Sequence, residues 1–407
     1  MGVITVLLAA YAAATAGYWL RTAYGVARLR STPRLNEGDG VQGERLPRLS
    51  VVVPACDEVD KLEPAFRTLM AQDDPELELI LVDDRSTDGT GELADRLASE
   101  DSRVKVIHVR ELPEGWLGKV HALQRGHAES RGEFVLFTDA DVHFGPRALR
   151  KVVRHCQRHG LDHLAAIPHL RPAGPLTDAV VSAFLRPFMT LLARPWKVPD
   201  PRSGAFMGVG AFNMVRRAAF ERTEGFEWLR MEVGDDMGLG LLMKRSGARC
   251  GVVSAFDDVW LTWHRSVREA IQGSEKAYAP VCQFSIWRGV MAGSGIVAVE
   301  LAPIVLTTGL LGHGTRIFGV VGVALIAVEV ASTAAVARWA RGHVLPAILS
   351  PLASIIGAYA LVRAAVLGKL RGGVAWRGTV YPSEMLKRGM RLKLGLTGSV
   401  TEQMREN

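Results

Sequence analysis

The spacing of apolar and polar residues changes character twice along the chain. Val3 to Leu20 carries no charge and is about as long as a helix needs to be to cross a bilayer. From Leu49 the pattern becomes short apolar runs alternating with amphipathic stretches. Leu49–Pro54, Leu79–Val82, Val104–Val109 and Phe134–Thr138 read as buried strands. Residues 60–71, 89–99 and 121–130 read as the helices between them. Strands alternating with helices of this length predict βαβ units and a parallel sheet. A later helix, Met237–Arg245, places Leu239, Leu242 and Met243 on one face and stops at Gly247. After Trp287 the apolar runs lengthen again. Val290–Leu311, Ile317–Val336 and Leu345–Val366 each approach spanning length, interrupted only by Glu300, Glu329 and Arg363.

Charge orients this pattern. Arg21, Arg28, Arg30 and Arg34 follow the first apolar run, the reverse of a cleaved signal. Residues 1–20 therefore read as an uncleaved anchor with its N-terminus outside and the chain from 21 in the cytoplasm. Residues 21–48 form a linker, 49–285 an α/β domain, 286–367 spanning or re-entrant segments, and 368–407 a basic cytoplasmic tail. The expected class is α/β with one N-terminal and two to three C-terminal transmembrane helices, in the inner membrane. Both Arg338–Arg341 and Lys369–Lys393 favour the cytoplasm, and three full crossings would separate them. A re-entrant pair over 344–367, broken at Pro346 and Pro351, would reconcile the two. Leu176–Val198 is apolar but carries Arg186, Pro187, Arg194 and Pro195, which suits a bent interfacial segment or a pair of buried core helices. Glu300 and Glu329 are costly inside a bilayer, so they should face other helices or an acceptor groove.

Composition adds little beyond this. Hydrophobic residues make up 48% and charged residues 22% of the 407, an ordinary globular balance. Cys56, Cys156, Cys250 and Cys282 show no paired spacing, which excludes a zinc or disulfide framework and favours a reducing compartment. The net charge of +7 comes from basic residues beside apolar segments. They mark a membrane face rather than nucleic acid, since no basic and aromatic residues interleave clearly on the soluble part.

Candidate chemistry gathers just past the strand ends, where open α/β sheets bind ligands. The first group is Pro54-Ala55-Cys56-Asp57-Glu58, and the second is Asp83-Asp84 with Ser86 and Asp88, where Asp88 also suits a helix N-cap. The third is Asp139-Ala140-Asp141, two carboxylates spaced by one small residue. Such a pair suits Mg²⁺ or Mn²⁺ shared with phosphates, or a solvated acidic turn. Lys119, near a helix start, suits a phosphate. Asp235-Asp236 opens the Met237 helix, where the helix dipole alone would favour two acids.

Taken together, region 49–255 resembles the catalytic domain of family 2 glycosyltransferases, which have the Rossmann-like GT-A fold. The matching stretches are Val51–Ala55 with Glu58, Val82–Thr90, Gly118-Lys119 with Ala122-Leu123, and Thr138–Asp141. Gly208–Asn213, Arg216-Arg217, Glu224–Phe226 and Asp235-Asp236 continue the match. The resemblance implies a nucleotide-sugar donor, most simply a UDP-sugar, bound in the half 49–170, and an acceptor in the half 171–285. It places Glu58, Asp83 and Asp84 at the base and ribose, Pro54 and Lys119 also among the donor-binding residues, and the metal on Asp139 and Asp141. It makes Asp236 the general base, with Asp235 supporting it. Arg265 and Arg268 resemble the family's Q/R-x-x-R-W element on the donor diphosphate, although a solvated basic helix turn would read the same. Glu269 replaces its final Trp, which argues against processive synthesis. The layout is similar to enzymes that glycosylate carotenoids, hopanoids or ceramide-like lipids. A processive polysaccharide synthase and a non-catalytic membrane scaffold are the alternatives.

Overall fold

A computed structural model describes residues 2–35, 46–73, 76–312 and 315–392. The chain divides into two compact units. One, α/β in character, comprises 32–171, 195–262 and the chain from 375; the other, helical, comprises 1–31, 172–194 and 263–374.

Among the described residues, the main sheet of the α/β unit has seven strands: β1 Leu49–Ala55, β2 Leu77–Asp84, β3 Val104–Val109, β4 Phe134–Phe137, β5 His163–Ile167, β6 Asn213–Arg216 and β7 Cys250–Ser254. They lie in the order β3-β2-β1-β4-β6-β5-β7. Val51, Val52 and Val53 are all buried, so β1 is covered on both faces, as the continuous apolar run requires. Parallel neighbours need crossovers, which the helices Val59–Met70, Thr90–Glu100 and Gly118–Glu129 provide. Each of these elements lies within a few residues of its expected position. The register pairs Ala55 with Asp83 and Val52 with Phe137, so the carboxyl ends of β1, β2 and β4 meet at one edge.

The sheet is not wholly parallel. β6 runs antiparallel to both β4 and β5. Its pairing sets Asn213 beside Phe137 and delivers Gly208–Phe212 to the edge where the chain leaves β4. A parallel strand there would carry this segment to the opposite edge.

In the helical unit lie Val3–Leu29, Ile286–Thr307, Arg316–Trp339 and Ser350–Leu370. The first continues well past Leu20. Pro175–Pro187 continues into one π-helical stretch, Phe188–Ala193, after Pro187 removes a ladder donor. Among the described residues, five segments are long and apolar enough to cross a membrane: Val3–Leu29, Pro175–Lys197, Ile286–Leu311, Arg316–Trp339 and Leu345–Leu370. Two expectations change. Residues 344–367 form no re-entrant pair: Pro346 and Pro351 sit in first turns, where a proline costs no ladder bond, and one helix runs on to Leu370. The stretch beginning at Leu176 joins the helical unit as a candidate span, because its charge is neutralised inside. Arg186 is fully buried, ion-paired with Glu300, and donates to Thr333 (2.6 Å) and Ser350 (2.9 Å). Its guanidinium lies 4.7 Å from the Trp19 ring, and Tyr18 donates to Glu300 at 2.9 Å. Glu329 is buried as well. Both acids thus face protein rather than lipid, as their desolvation cost demands.

Candidate active site

The site is assembled around Lys119. It occupies the first turn of Gly118–Glu129, and its ammonium lies 2.8 Å from Asp139 and 3.1 Å from Asp235. Burial alone would lower its pKa, but Asp139, Asp235 and Asp236 raise it, so it stays charged. Lys119, Thr138, Asp139, Gly210, Asp235 and Asp236 line one small pocket. Sequence distance gives no hint that residues from four segments converge here.

The Gly208–Asn213 segment brings them together. The Asp139 N–H donates to the Gly210 carbonyl at 3.2 Å, and Thr138 Oγ1 donates to the Ala211 carbonyl at 2.8 Å. The Gly210 N–H donates to Asp236 Oδ2 at 3.0 Å. Close approach requires both glycines: a Cβ on Gly208 would stand 1.7 Å from the Asp236 carbonyl oxygen, and one on Gly210 would stand 2.7 Å from Asp139 Oδ2. Asn213 donates to the Asp236 carbonyl at 3.0 Å while its own oxygen meets His163 Nε2 at 2.7 Å. Burial pushes His163 down to about 4, so the ring is neutral and Nε2–H donates to Asn213.

Asp236 opens the helix Asp235–Arg245. Burial, then the charge of Asp235, pushes its carboxyl up to about 6. Its Oδ1 accepts the Met237 N–H at 2.7 Å, so both oxygens are oriented by backbone donors. Asp141 lies 3.8 Å from Lys61, and burial together with the Asp139 charge raises its pKa. Two hard carboxylates crowd one place, which a divalent cation would relieve. Among the described residues no group of three or more His, Cys, Asp or Glu side chains is placed to hold a metal alone.

The expected donor residues line the adjoining edge, with partners of their own. Pro54 lies opposite Val82, one residue before the end of β1. The Asp83 carboxylate accepts the Ser86 N–H at 3.2 Å and meets His108 at 2.9 Å, while Asp84 holds Arg85 at 2.8 and 3.0 Å. Asp88 accepts N–H groups of Val59 and Thr90, tying the β1 and β2 loops together, while Gly89 takes the N-cap position. Glu58 pairs with Arg377, whose guanidinium also donates to the Asp57 carbonyl at 3.3 Å. Tyr381 accepts the Gly118 N–H at 3.1 Å. Arg377 and Tyr381 are absent from the sequence reading, which takes this stretch as tail. The signal was present: Arg377-Gly378 stands between Trp376 and Thr379, and φ values of 48° and 72° make it a hairpin turn.

Arg265 and Arg268 belong to the helical unit and are exposed. Ser266 caps their helix by accepting the Glu269 N–H at 3.2 Å, and Glu269 accepts the Arg265 N–H at 2.8 Å. Glu269 thus has a local role as one half of a capping pair.

Comparison with known proteins agrees with this architecture. Residues 50–223 match the family described as Glycosyl transferase family 2. Over 165 residues the chain is 32% identical to dolichol-phosphate mannosyltransferase of Saccharomyces cerevisiae, covering 39% of this chain and 59% of that protein. Over 96 residues it is 34% identical to GalNAc(5)-diNAcBac-PP-undecaprenol beta-1,3-glucosyltransferase of Campylobacter jejuni, covering 24% of this chain and 30% of that protein. The chain therefore spans less than two thirds of either relative. Among solved structures, mannosyltransferase PcManGT from Pyrobaculum calidifontis, in complex with GDP-Man and Mn²⁺, shares the fold. It has a TM-score of 0.53 at 19% identity, over 89% of this chain and 99% of that one.

Proposed function

From the match of residues 50–223 to glycosyl transferase family 2, we propose that this chain transfers one sugar, with inversion, from a nucleotide-diphosphate sugar to a membrane lipid. The observation that carries the proposal is the pocket in which Asp236, oriented by the Gly210 N–H, faces the Lys119–Asp139 pair. The acceptor oxygen bonds to the anomeric carbon as the bond to the diphosphate breaks, and Asp236 takes the hydroxyl proton. Lys119 and the start of its helix offer positive charge to the departing diphosphate. Glu58, Asp83 and Asp84 hold the base and ribose. Asp139 and Asp141 would hold Mg²⁺ or Mn²⁺, which supplies charge stabilisation to the leaving group. They fit it: both are hard oxygen donors, and burial together with the nearby Asp139 charge raises the Asp141 carboxyl. A UDP-sugar and a carotenoid, hopanoid or ceramide-like hydroxyl are the intended substrates, at the cytoplasmic face and without processive extension.

A second reading is favoured by the dolichol-phosphate mannosyltransferase similarity. A lipid phosphate acceptor is already ionised and needs no base. Lipid extracts supplied as acceptors with labelled nucleotide sugars separate the two. With a hydroxyl acceptor, kcat/KM falls below about pH 6 as Asp236 takes a proton. With a phosphate acceptor no base is needed, so Asp236→Asn should leave the rate nearly unchanged, whereas with a hydroxyl acceptor it should lower it about 10²- to 10⁴-fold.

Asp141→Asn is expected to abolish turnover while expression stays normal, and excess chelator should do the same to the parent enzyme. Full activity in either case removes the metal from the proposal. Topology is checked independently. A cysteine at exposed Ser99 should resist a membrane-impermeant thiol reagent in intact cells, because Arg21, Arg28, Arg30 and Arg34 hold the chain after the first span inside. Ready labelling would place the site outside, away from the cytoplasmic donor.

A further inference from the structure

Glu232 precedes Asp235-Asp236 by three residues, is 5% exposed, and takes no part in the chemistry above. Its carboxylate accepts three backbone N–H groups. One is local, from Gly234 at 2.9 Å. The other two come from far along the chain: Arg391 at 2.6 Å and Leu392 at 2.9 Å. The same stretch is fastened again beside them. Arg391 Nε donates to the Trp228 carbonyl at 2.9 Å, and its guanidinium lies 5.2 Å from the Trp228 ring. Gly389 runs so close to Met231 that a Cβ there would stand 2.2 Å from the Met231 Cβ. Leu392 presses on Gly234, where a Cβ would stand 2.8 Å from its Cδ1.

We propose that Gly389–Leu392 and Glu232 form a clip that positions Asp235 and Asp236, Glu232 being a positioning residue rather than a catalytic one. The physical argument is one of satisfaction. A buried carboxylate is tolerated when N–H donors surround it, and here two of three belong to the distant segment. Without them Glu232 must take a proton or draw in water, and the 228–234 loop loosens. That loop sets Gly234, the N-cap from which the Asp235–Arg245 helix starts. A shift of about 1 Å at a reacting group can cost about a hundredfold in rate. The clip bears on the acceptor side of the chemistry, so donor affinity should be spared.

The inference rests on Asp236 being the base, and the experiment separates the two. The full chain, in detergent or nanodiscs with a nucleotide-sugar donor, is compared as Glu232→Ala, Glu232→Gln, Arg391→Pro and a version ended after Met390. Asp236→Asn is run beside them. Rates are expressed per folded protein. Glu232→Ala and the version ended after Met390 should each lower kcat about 10- to 100-fold with donor KM within about twofold. Combining them should add little further, because both remove the same contact. Glu232→Gln, which retains one accepting oxygen, should lose less. Arg391→Pro, which lacks one N–H, should fall between the parent and Glu232→Ala, and it keeps the test open should the larger changes fail to fold. The clip is overturned if kcat is unchanged while Asp236→Asn is impaired. It is equally overturned if the losses multiply, or if donor KM rises at constant kcat. Full activity of Asp236→Asn would remove the base and the clip with it.

Discussion

Asp236→Asn is expected to lower kcat by a factor of about 10² to 10⁴ while leaving donor affinity nearly unchanged. The asparagine keeps the size of the side chain and one oxygen that can accept from Gly210 or Met237, so the pocket should persist. It cannot take a proton. Steady-state rates with donor and acceptor varied separately check this, since a base acting on the acceptor leaves the donor term alone. Asp235→Asn should cost less. Asp235 faces Lys119 at 3.1 Å, so its loss removes one of two close counter-charges rather than the base. Reversed magnitudes would assign the base to Asp235. Products carrying long sugar chains would overturn the non-processive reading whichever acid is the base.

Arg186→Ala should destabilise the helical unit by about 3–5 kcal/mol, the cost of leaving one partner of a buried pair alone. Glu300 would keep its bonds from Tyr18 and Ser354 but lose its counter-charge, with Glu329 buried in the same helical unit. Thr333 and Ser350 would lose the donor they accept from. Replacing both partners, as Arg186→Met with Glu300→Gln, should recover much of the loss, because no bare charge remains. Unfolding of the purified protein in detergent is the measurement. If the single and double variants unfold at the same denaturant concentration, the pair is not what holds the interrupted helix among the others.

The chain displays some of this plainly and hides the rest, for reasons that differ by residue. Val51–Val53, Leu79–Val82 and Phe134–Phe137 are legible because a strand covered on both faces is uniformly apolar, whatever it packs against. The acids after each strand are legible because the end of an apolar run and the start of a polar one are local events. β6 is not. Asn213–Arg216 is short and of mixed character, and nothing within it says antiparallel; its direction follows from where the long excursion after β5 re-enters the sheet. Arg186 misleads in isolation. A charge in an apolar stretch reads as an interruption until Glu300, more than a hundred residues away, is found beside it.

By itself, then, the sequence determined the strand–helix alternation, the apolar spans and the identities of the carboxylates, since each depends on neighbours within a turn or a strand. Tertiary structure decided which of those groups meet: Lys119 between Asp139 and Asp235, and Gly210 against Asp236. It also brought Arg377, Tyr381 and the Gly389–Leu392 stretch back to the α/β unit. The difference is physical. Burial and hydrogen-bond satisfaction between distant segments are properties of closed loops, and the free energy that closes them is written across the whole chain rather than in any window of it.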